Sequence, residues 1–330
     1  MLLDGRKPAD IETAAQILRD GRLLAFPTET VYGLGADASS DTAVAAIFDA
    51  KGRPKDHPLI VHVASPAAVP EFAASVPDFA QKLIDALWPG PLTLILPRRD
   101  GVAAAAAGGQ ASIGLRCPSH PVALALLEAS AALGVHGVAG PSANRFGRVS
   151  PTTAAHVQSE FGDAVAVLDG GPCDVGIESA IVDCTRGVPV LLRPGVLTRA
   201  RIEHALGQPL VGPEEFLAED APRASGTLES HYAPNARVRL MDAKALQAAL
   251  NVLGSDAAHI AVWSRVILRS SSSRIIRRRM PDDAVAAAQQ LFGVLREFDT
   301  QGVKLIWVET PPLDAEWDGV RDRLQRAAAS

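Results

Sequence analysis

The sequence predicts an α/β protein built in two domains. Three observations carry this expectation. Strand-like and helix-like patterns alternate from residue 1 to about 206. A stretch rich in Pro and Gly, residues 207–234, breaks the rhythm as linkers do. The alternation then restarts over residues 235–330, as expected for a small Rossmann-like α/β domain with a largely parallel sheet.

In order along the chain, the N-terminus (MLLDGRKPADIETAAQIL) reads as the start of an amphipathic helix and not as a signal peptide. Ile11–Arg19 has helical spacing, with Gly21 to end it. LLAF at 23–26 is a strand stopped by Pro27, and Thr42–Ala50 is a helix. PLIVHV (58–63), TLILP (93–97) and SIGLR (112–116) are apolar, β-rich runs. The alanine run Ala103–Ala107 reads as a flexible loop. His120–Leu133 and Thr152–Phe161 follow as helices, the latter with Ser150 and Thr152 as candidate caps. AVAVLD (164–169), SAIVDC (179–184) and VPVLLR (188–193) are strands, the last two joined by a hairpin-like turn at Gly187. Leu197–Leu206 closes the first domain as a helix. Beyond the linker come strands at 238–242, 259–263 and 304–309, and helices over Ala243–Leu253, Asp283–Thr300 and Trp317–Ala328. Arg265–Arg279, with four consecutive serines and several arginines, reads as a solvated loop.

Composition narrows the function classes. Of 330 residues, 48% are hydrophobic and 21% charged, which suits a folded globular chain. The net charge of -5 disfavours a protein whose main task is gripping nucleic acid, and points to small anionic ligands. Three cysteines without a CxxC pair argue against structural zinc or a disulfide framework and fit the cytoplasm. No stretch approaches a membrane span.

Four clusters hold candidate chemistry. Pro27–Gly35 places hydroxyls and glycines between a strand and a helix, where backbone can approach a ligand closely. Lys51 and Arg53 sit two apart at a helix end and suit either a polyphosphate or the helix dipole, while His57 follows on the next turn. Ser142 and Asn144 lie on a loop after a strand where capping explains them poorly. Gly176–Ser179 and Leu191–Gly195 bring Arg193 to a strand end. Within apolar strands, His62 is either a satisfied core histidine or a substrate contact. Arg116 has no acid close by in sequence, so an anionic ligand is the expected partner, with Ser112 on the same strand face. There is no P-loop, no GxGxxG and no GxSxG elbow.

Taken together, Lys51-Gly52-Arg53 and Ser142-Ala143-Asn144 match the K-x-R and S-x-N signature of the YrdC-like family of threonylcarbamoyl-AMP synthases, which this chain resembles. FPTETVYGLGADA, RPKDHPLIVHV, WPGPLTLIL, GLRCPSHPVA, GPSAN, GIESAIVD and VLLRPG appear in the family's order over residues 8–206. His231-Tyr232-Ala233-Pro234 resembles the linker motif of the long, two-domain branch, although Ser225–Ser230 before it departs from that branch's pattern. The resemblance implies a YrdC-like twisted mixed sheet with flanking helices as the catalytic domain (1–206), a linker or lid (207–234) and an α/β C-terminal domain (235–330). It implies condensation of L-threonine, bicarbonate and ATP, with Mg²⁺, to threonylcarbamoyl-AMP and pyrophosphate for tRNA modification. Partner proteins would then transfer the group to tRNA, which this chain itself contacts weakly at most. Carried over by position, Thr30, His62, Arg116, Gly140 and Ser179 would meet threonine. Arg53, His57, Ser112, Ser142, Ser150, Arg193 and His231 would meet ATP, and Lys51 and Asn144 would face its phosphates. The resemblance supplies no protein ligand set for a metal. A non-enzymatic RNA-binding member of the same fold is the alternative reading, and the acidic balance disfavours it.

Overall fold

The computed structural model describes residues 1–212, 222–224, 226 and 231–329. The chain divides into two compact units. The first joins Met1–Phe146 to the chain from Ser150 into the connecting segment; the second takes Gly147–Val149 together with the chain from His231 onward.

The strands of the first unit are β1 (Leu2–Asp4), β2 (Leu24–Phe26), β3 (Gly33–Asp37), β4 (Ile60–His62), β5 (Leu92–Pro97), β6 (Ser112–Arg116), β7 (Val138–Ala139), β8 (Ala166–Asp169), β9 (Ala180–Asp183) and β10 (Val190–Arg193). They make one mixed sheet in the order β1-β8-β2-β3-β7-β4-β6-β5-β9-β10. The period-2 geometry of β2 shows how the sheet is covered on both faces. Leu24 and Phe26 belong to a cluster with Ala14, Leu18, Leu126 and Leu127 from helices α1 (Pro8–Arg19) and α5 (Pro121–Ala132). Ala25, between them, belongs to a second cluster with residues of α2 (Asp41–Lys51) and α4 (Asp78–Leu87). Each fully buried leucine in these layers contributes roughly 1.5–3 kcal/mol.

The helix ends follow local chemistry. Ser40 caps α2 by accepting from Ala43 N, and Gly52 ends it in the left-handed conformation at φ 65°. That turn is what brings Lys51 and Arg53 inward. The α6 helix (Ala154–Phe161) is capped by Thr153, which accepts from His156 N, and not by Ser150 or Thr152 as expected. Ser150 is otherwise engaged, and Thr152 N instead donates to the His156 ring, 3.2 Å away.

Other expectations are corrected. The N-terminus opens as strand β1, paired in parallel with β8, before α1 begins. β3, read as a loop because of its glycines, is an inner strand: a Cβ at Gly35 would lie 3.0 Å from the Phe26 ring. The alanine run is not a free loop, since Ala103, Ala106 and Ala107 are buried and Ala106 O accepts from Leu59 N. The hairpin-like turn expected at Gly187 is present: β9 and β10 pair antiparallel, with Gly187 at φ 76° between them.

The second unit has a four-stranded sheet, β11 (Arg237–Met241), β12 (Ile260–Ser264), β13 (Ile276–Arg279) and β14 (Leu305–Glu309), in the order β11-β14-β12-β13 with every pair parallel. Helices α8 (Ala243–Val252), α9 (Ala284–Thr300) and α10 (Asp318–Ala328) complete it, after α7 (Arg199–Leu206) has closed the first unit. The Arg/Ser-rich segment is not wholly loop: its end is the edge strand β13. Arg278 there pairs with Glu297, and charged side chains on an edge discourage strand addition.

Candidate active site

Parallel pairing of β4 and β6 sets His62 beside Arg116 in register. Arg116 is 3% exposed and held on three sides. Its Nε donates to Gly90 O at 3.3 Å, Nη1 to Thr30 Oγ1 at 2.8 Å, and Nη2 to Glu29 Oε1 at 2.5 Å. The expectation that Arg116 lacks an acidic neighbour is thus corrected: the acid arrives from the β2–β3 loop, 87 residues away in sequence. Thr30 is placed by a tight turn, in which Thr28 Oγ1 donates to Val31 O at 2.6 Å and accepts from Thr30 N and Val31 N.

His62 is buried, and no side chain or backbone group partners its Nδ1 among the described residues. Burial first, and the Arg116 charge second, push its pKa down to about 3, so the ring is neutral. Gly140 permits this arrangement, for a Cβ there would lie 3.1 Å from His62 Nδ1 and 3.0 Å from the Phe26 ring. A buried ring nitrogen with no partner beside an arginine on a strand end is a group that a ligand could satisfy.

The signature residues form a second group. Lys51 reaches from the last turn of α2 to the Ser142–Asn144 loop, where Nζ donates to Ser142 O and Asn144 O, each at 2.5 Å. It braces the loop through backbone carbonyls. Its ammonium is disfavoured by burial and then by Arg53, which lower its pKa. Asn144 is buried, and its amide donates to Arg145 O. Ser142 is half-buried and bridges Gly33 of β3, which ties this loop to the threonine-turn side of the sheet. Arg53 is buried, donates to Pro58 O, and lies 5.8 Å from the Phe146 ring centre; the His57 ring meets the same phenyl edge-on at 5.6 Å. Burial, followed by the Arg53 charge, lowers the His57 pKa.

A third group lies around β5, β6 and β9. Ser179 Oγ is 2.8 Å from Thr93 Oγ1, and Arg193 donates to Ser179 O at 3.0 Å and to its hydroxyl at 3.3 Å. Ser112 lines a cavity of about 20 Å³ together with Thr93, Gly114 and Ile181. Arg223 and Ala224 of the connecting segment line it as well, and Arg223 pairs with Asp56. Ser150 donates to Glu178 Oε1 at 2.5 Å, and Glu178 bears electrostatically on Lys51. His231 belongs to the second unit: it is buried, stacks edge-on against Tyr232 at 4.1 Å, and its N donates to Arg326 O. Residues 213–221, 225 and 227–230, half of the expected lid (207–234), lie outside the described residues.

Sequence reasoning gave no role to Glu29, Glu178 or Thr93. The acids stood inside quoted motifs, and a lone buried arginine was the signal that one of them had to be near.

Comparison with known proteins bears on this geometry. The family described as "Telomere recombination" (Sua5/YciO/YrdC) matches residues 16–195, and the threonylcarbamoyl-AMP synthase C-terminal domain matches residues 197–329. The chain belongs to the threonylcarbamoyl-AMP synthase family. Within that family, the Pyrococcus abyssi threonylcarbamoyl-AMP synthase is 38% identical over 96% of this chain and 94% of its own. The Bacillus subtilis synthase is 36% identical over 96% and 92%. The crystal structure of P. abyssi Sua5 complexed with L-threonine superposes with a TM-score of 0.89 at 35% identity, covering 99% of this chain and 97% of that one. The shorter E. coli YciO, at 23% identity and a TM-score of 0.50, shares the fold over 59% of this chain.

Proposed function

We propose that the chain is a threonylcarbamoyl-AMP synthase, using L-threonine, bicarbonate and ATP. The observation that carries this reading is the Arg116–His62 pair, with an unpartnered Nδ1 beside a braced guanidinium. The names of the full-length relatives and the threonine-bound neighbour support it.

In this reading Arg116 receives the threonine carboxylate, and neutral His62 and Thr30 fix the rest of the amino acid. Ser179 and the narrow approach at Gly140 complete that side. The unprotonated amine takes up the carbon of bicarbonate with net loss of water, giving a carbamate. A carbamate oxygen then forms a bond to the α-phosphorus of ATP as the bond to the β-phosphate oxygen breaks, and pyrophosphate leaves. The chain's contribution is positioning and charge neutralisation. Arg53, Arg193, Ser142, Ser150, Ser112 and His57 are the proposed nucleotide contacts, with Asn144 and Lys51 shaping the loop between the two substrates. Lys51 would act through the loop it braces. His231 is proposed as a further nucleotide contact. Among the described residues no three His, Cys, Asp or Glu gather as a metal cluster. Mg²⁺ would be carried by the phosphates of ATP and mostly by water, where it would neutralise phosphate charge. Three buried free cysteines suit a reducing cytoplasm, and no helix among the described residues is long and apolar enough to cross a membrane. Downstream proteins would carry the product to tRNA, with tRNA contact to this chain weak at most.

The test is pyrophosphate release by the purified chain. Release that needs both L-threonine and bicarbonate, with a threonylcarbamoyl-adenylate mass in the mixture, is the expected result. Folded protein that releases none under any combination would return the RNA-binding reading to the front.

A further inference from the structure

The acid that pairs with Arg116 has no role in the signature motifs, yet it is buried and both of its carboxylate oxygens are engaged. Glu29 is 5% exposed, and three separate segments converge on it. Oε1 accepts from Arg116 Nη2 at 2.5 Å, Oε2 accepts from Ser119 N at 3.1 Å, and its carbonyl accepts from Val175 N at 2.8 Å. The segment after β6, the β2–β3 loop and the loop before β9 are thereby locked to one residue. Arg116 has five N–H groups. With Gly90, Thr30 and Glu29 taking three, one N–H remains on each terminal nitrogen with no partner among the described residues.

We propose that Glu29 is a positioning residue for amino-acid binding: it orients the Arg116 guanidinium so that its two remaining N–H groups are presented together to the substrate carboxylate. This inference rests on the reading of Arg116 as the carboxylate's partner. An arginine side chain carries about 2 kcal/mol of rotamer freedom when untethered. A charge-assisted contact removes that freedom before the ligand arrives, and the ligand meets a prepared fork. Gln at this position keeps the shape but not the function. Whichever way its amide turns, the NH₂ faces a donor, either Arg116 Nη2 or Ser119 N.

The test measures L-threonine affinity in the absence of nucleotide, and the separate KM values for threonine and ATP. For E29Q, threonine binding should weaken by about ten- to a hundred-fold, the loss of one charge-assisted contact. The KM for ATP should stay within about twofold. A role that is merely structural would move both substrates or neither. On an R116M background, E29Q should add no further loss, because both changes remove the same interaction. Threonine affinity unchanged in E29Q, or a full additional loss in the double variant, would overturn the inference. R116M that binds threonine like the parent chain would sink the reading of Arg116 itself, which keeps the two failures apart. A thermal unfolding midpoint accompanies each variant. If E29Q does not fold, E29D retains the charge and withdraws the carboxylate by one methylene. Threonine affinity should again fall with ATP binding retained, and an unchanged affinity would reject the proposal.

Discussion

At the scale of single residues, the site is held by groups that have given up their contact with water, and this has a titration consequence. His62 is neutral and buried, with its pKa lowered from 6.5 to about 3. The unfolded ring binds a proton at a pH where the folded one does not. Stability is therefore fully present above the unfolded pKa and declines as pH falls from 6.5 toward 3, by up to roughly 5 kcal/mol. An H62Q variant should lose this part of the acid sensitivity. Urea unfolding at pH 7 and at pH 5 tests it: the parent chain should lose more stability than the variant between the two. Equal losses would mean that the ring does not titrate in this way. Residue identity was legible in sequence to the extent that a polar group interrupted an apolar run. His62 and Arg116 announced themselves by standing in PLIVHV and SIGLR. The partners did not, because Glu29 and Arg116 meet across 87 positions and no local pattern encodes that approach. Lys51 shows a subtler gap. Its place beside Ser142 and Asn144 brings the two halves of the signature together. Its donation to their backbone carbonyls is visible only in three dimensions.

At the scale of elements, the periodic segments were legible and the short or glycine-rich ones were not. α1 and α9 have apolar faces long enough to be read directly, α5 and β5 are apolar through most of their length, and Ile113 and Leu115 alternate with other residues in β6. β3 (GLGAD) has little strand propensity and β7 (Val138–Ala139) is too short to show a pattern; they are strands because neighbours on both sides supply their hydrogen bonds. The α6 cap belongs to this scale too. Ser150 and Thr152 are the caps the sequence suggests, and Thr153 beside them has the same hydroxyl one position nearer the helix. The structure gives the cap to Thr153, so T153A should lower stability by about 1 kcal/mol, with the KM for either substrate unmoved. S150A should raise the KM for ATP, the substrate it is proposed to contact, and also lower stability, because its buried hydroxyl donates to Glu178. Thermal unfolding alongside steady-state kinetics distinguishes the two; a T153A chain as stable as the parent would show that the capping bond contributes nothing.

At the scale of the whole molecule, the alternation of strands and helices was enough to predict the α/β class and the parallel character of the second sheet, but not the strand order of the first. That order places β8 between β1 and β2, and β9 beside β5. Loop closure on this scale is paid before its contacts return anything. The interleaving also has a consequence during synthesis. Among the described residues, Leu2–Asp4 finds its only neighbour in the sheet at Val167–Asp169. At about 5–20 residues per second, a ribosome needs roughly 8–30 s to make the intervening chain. Throughout that interval the growing polypeptide carries β1 and β2 without β8, and β5 without β9, so each of the three has an edge uncovered. Ribosome-bound chains stalled just short of residue 166 should therefore be cut readily by protease, and chains stalled some forty residues beyond residue 193 should resist it. Equal susceptibility would mean that the sheet assembles by another route. For a cell making this protein, the vulnerable period is set by translation speed, and holdase chaperones at the exit tunnel are the agents best placed to cover it.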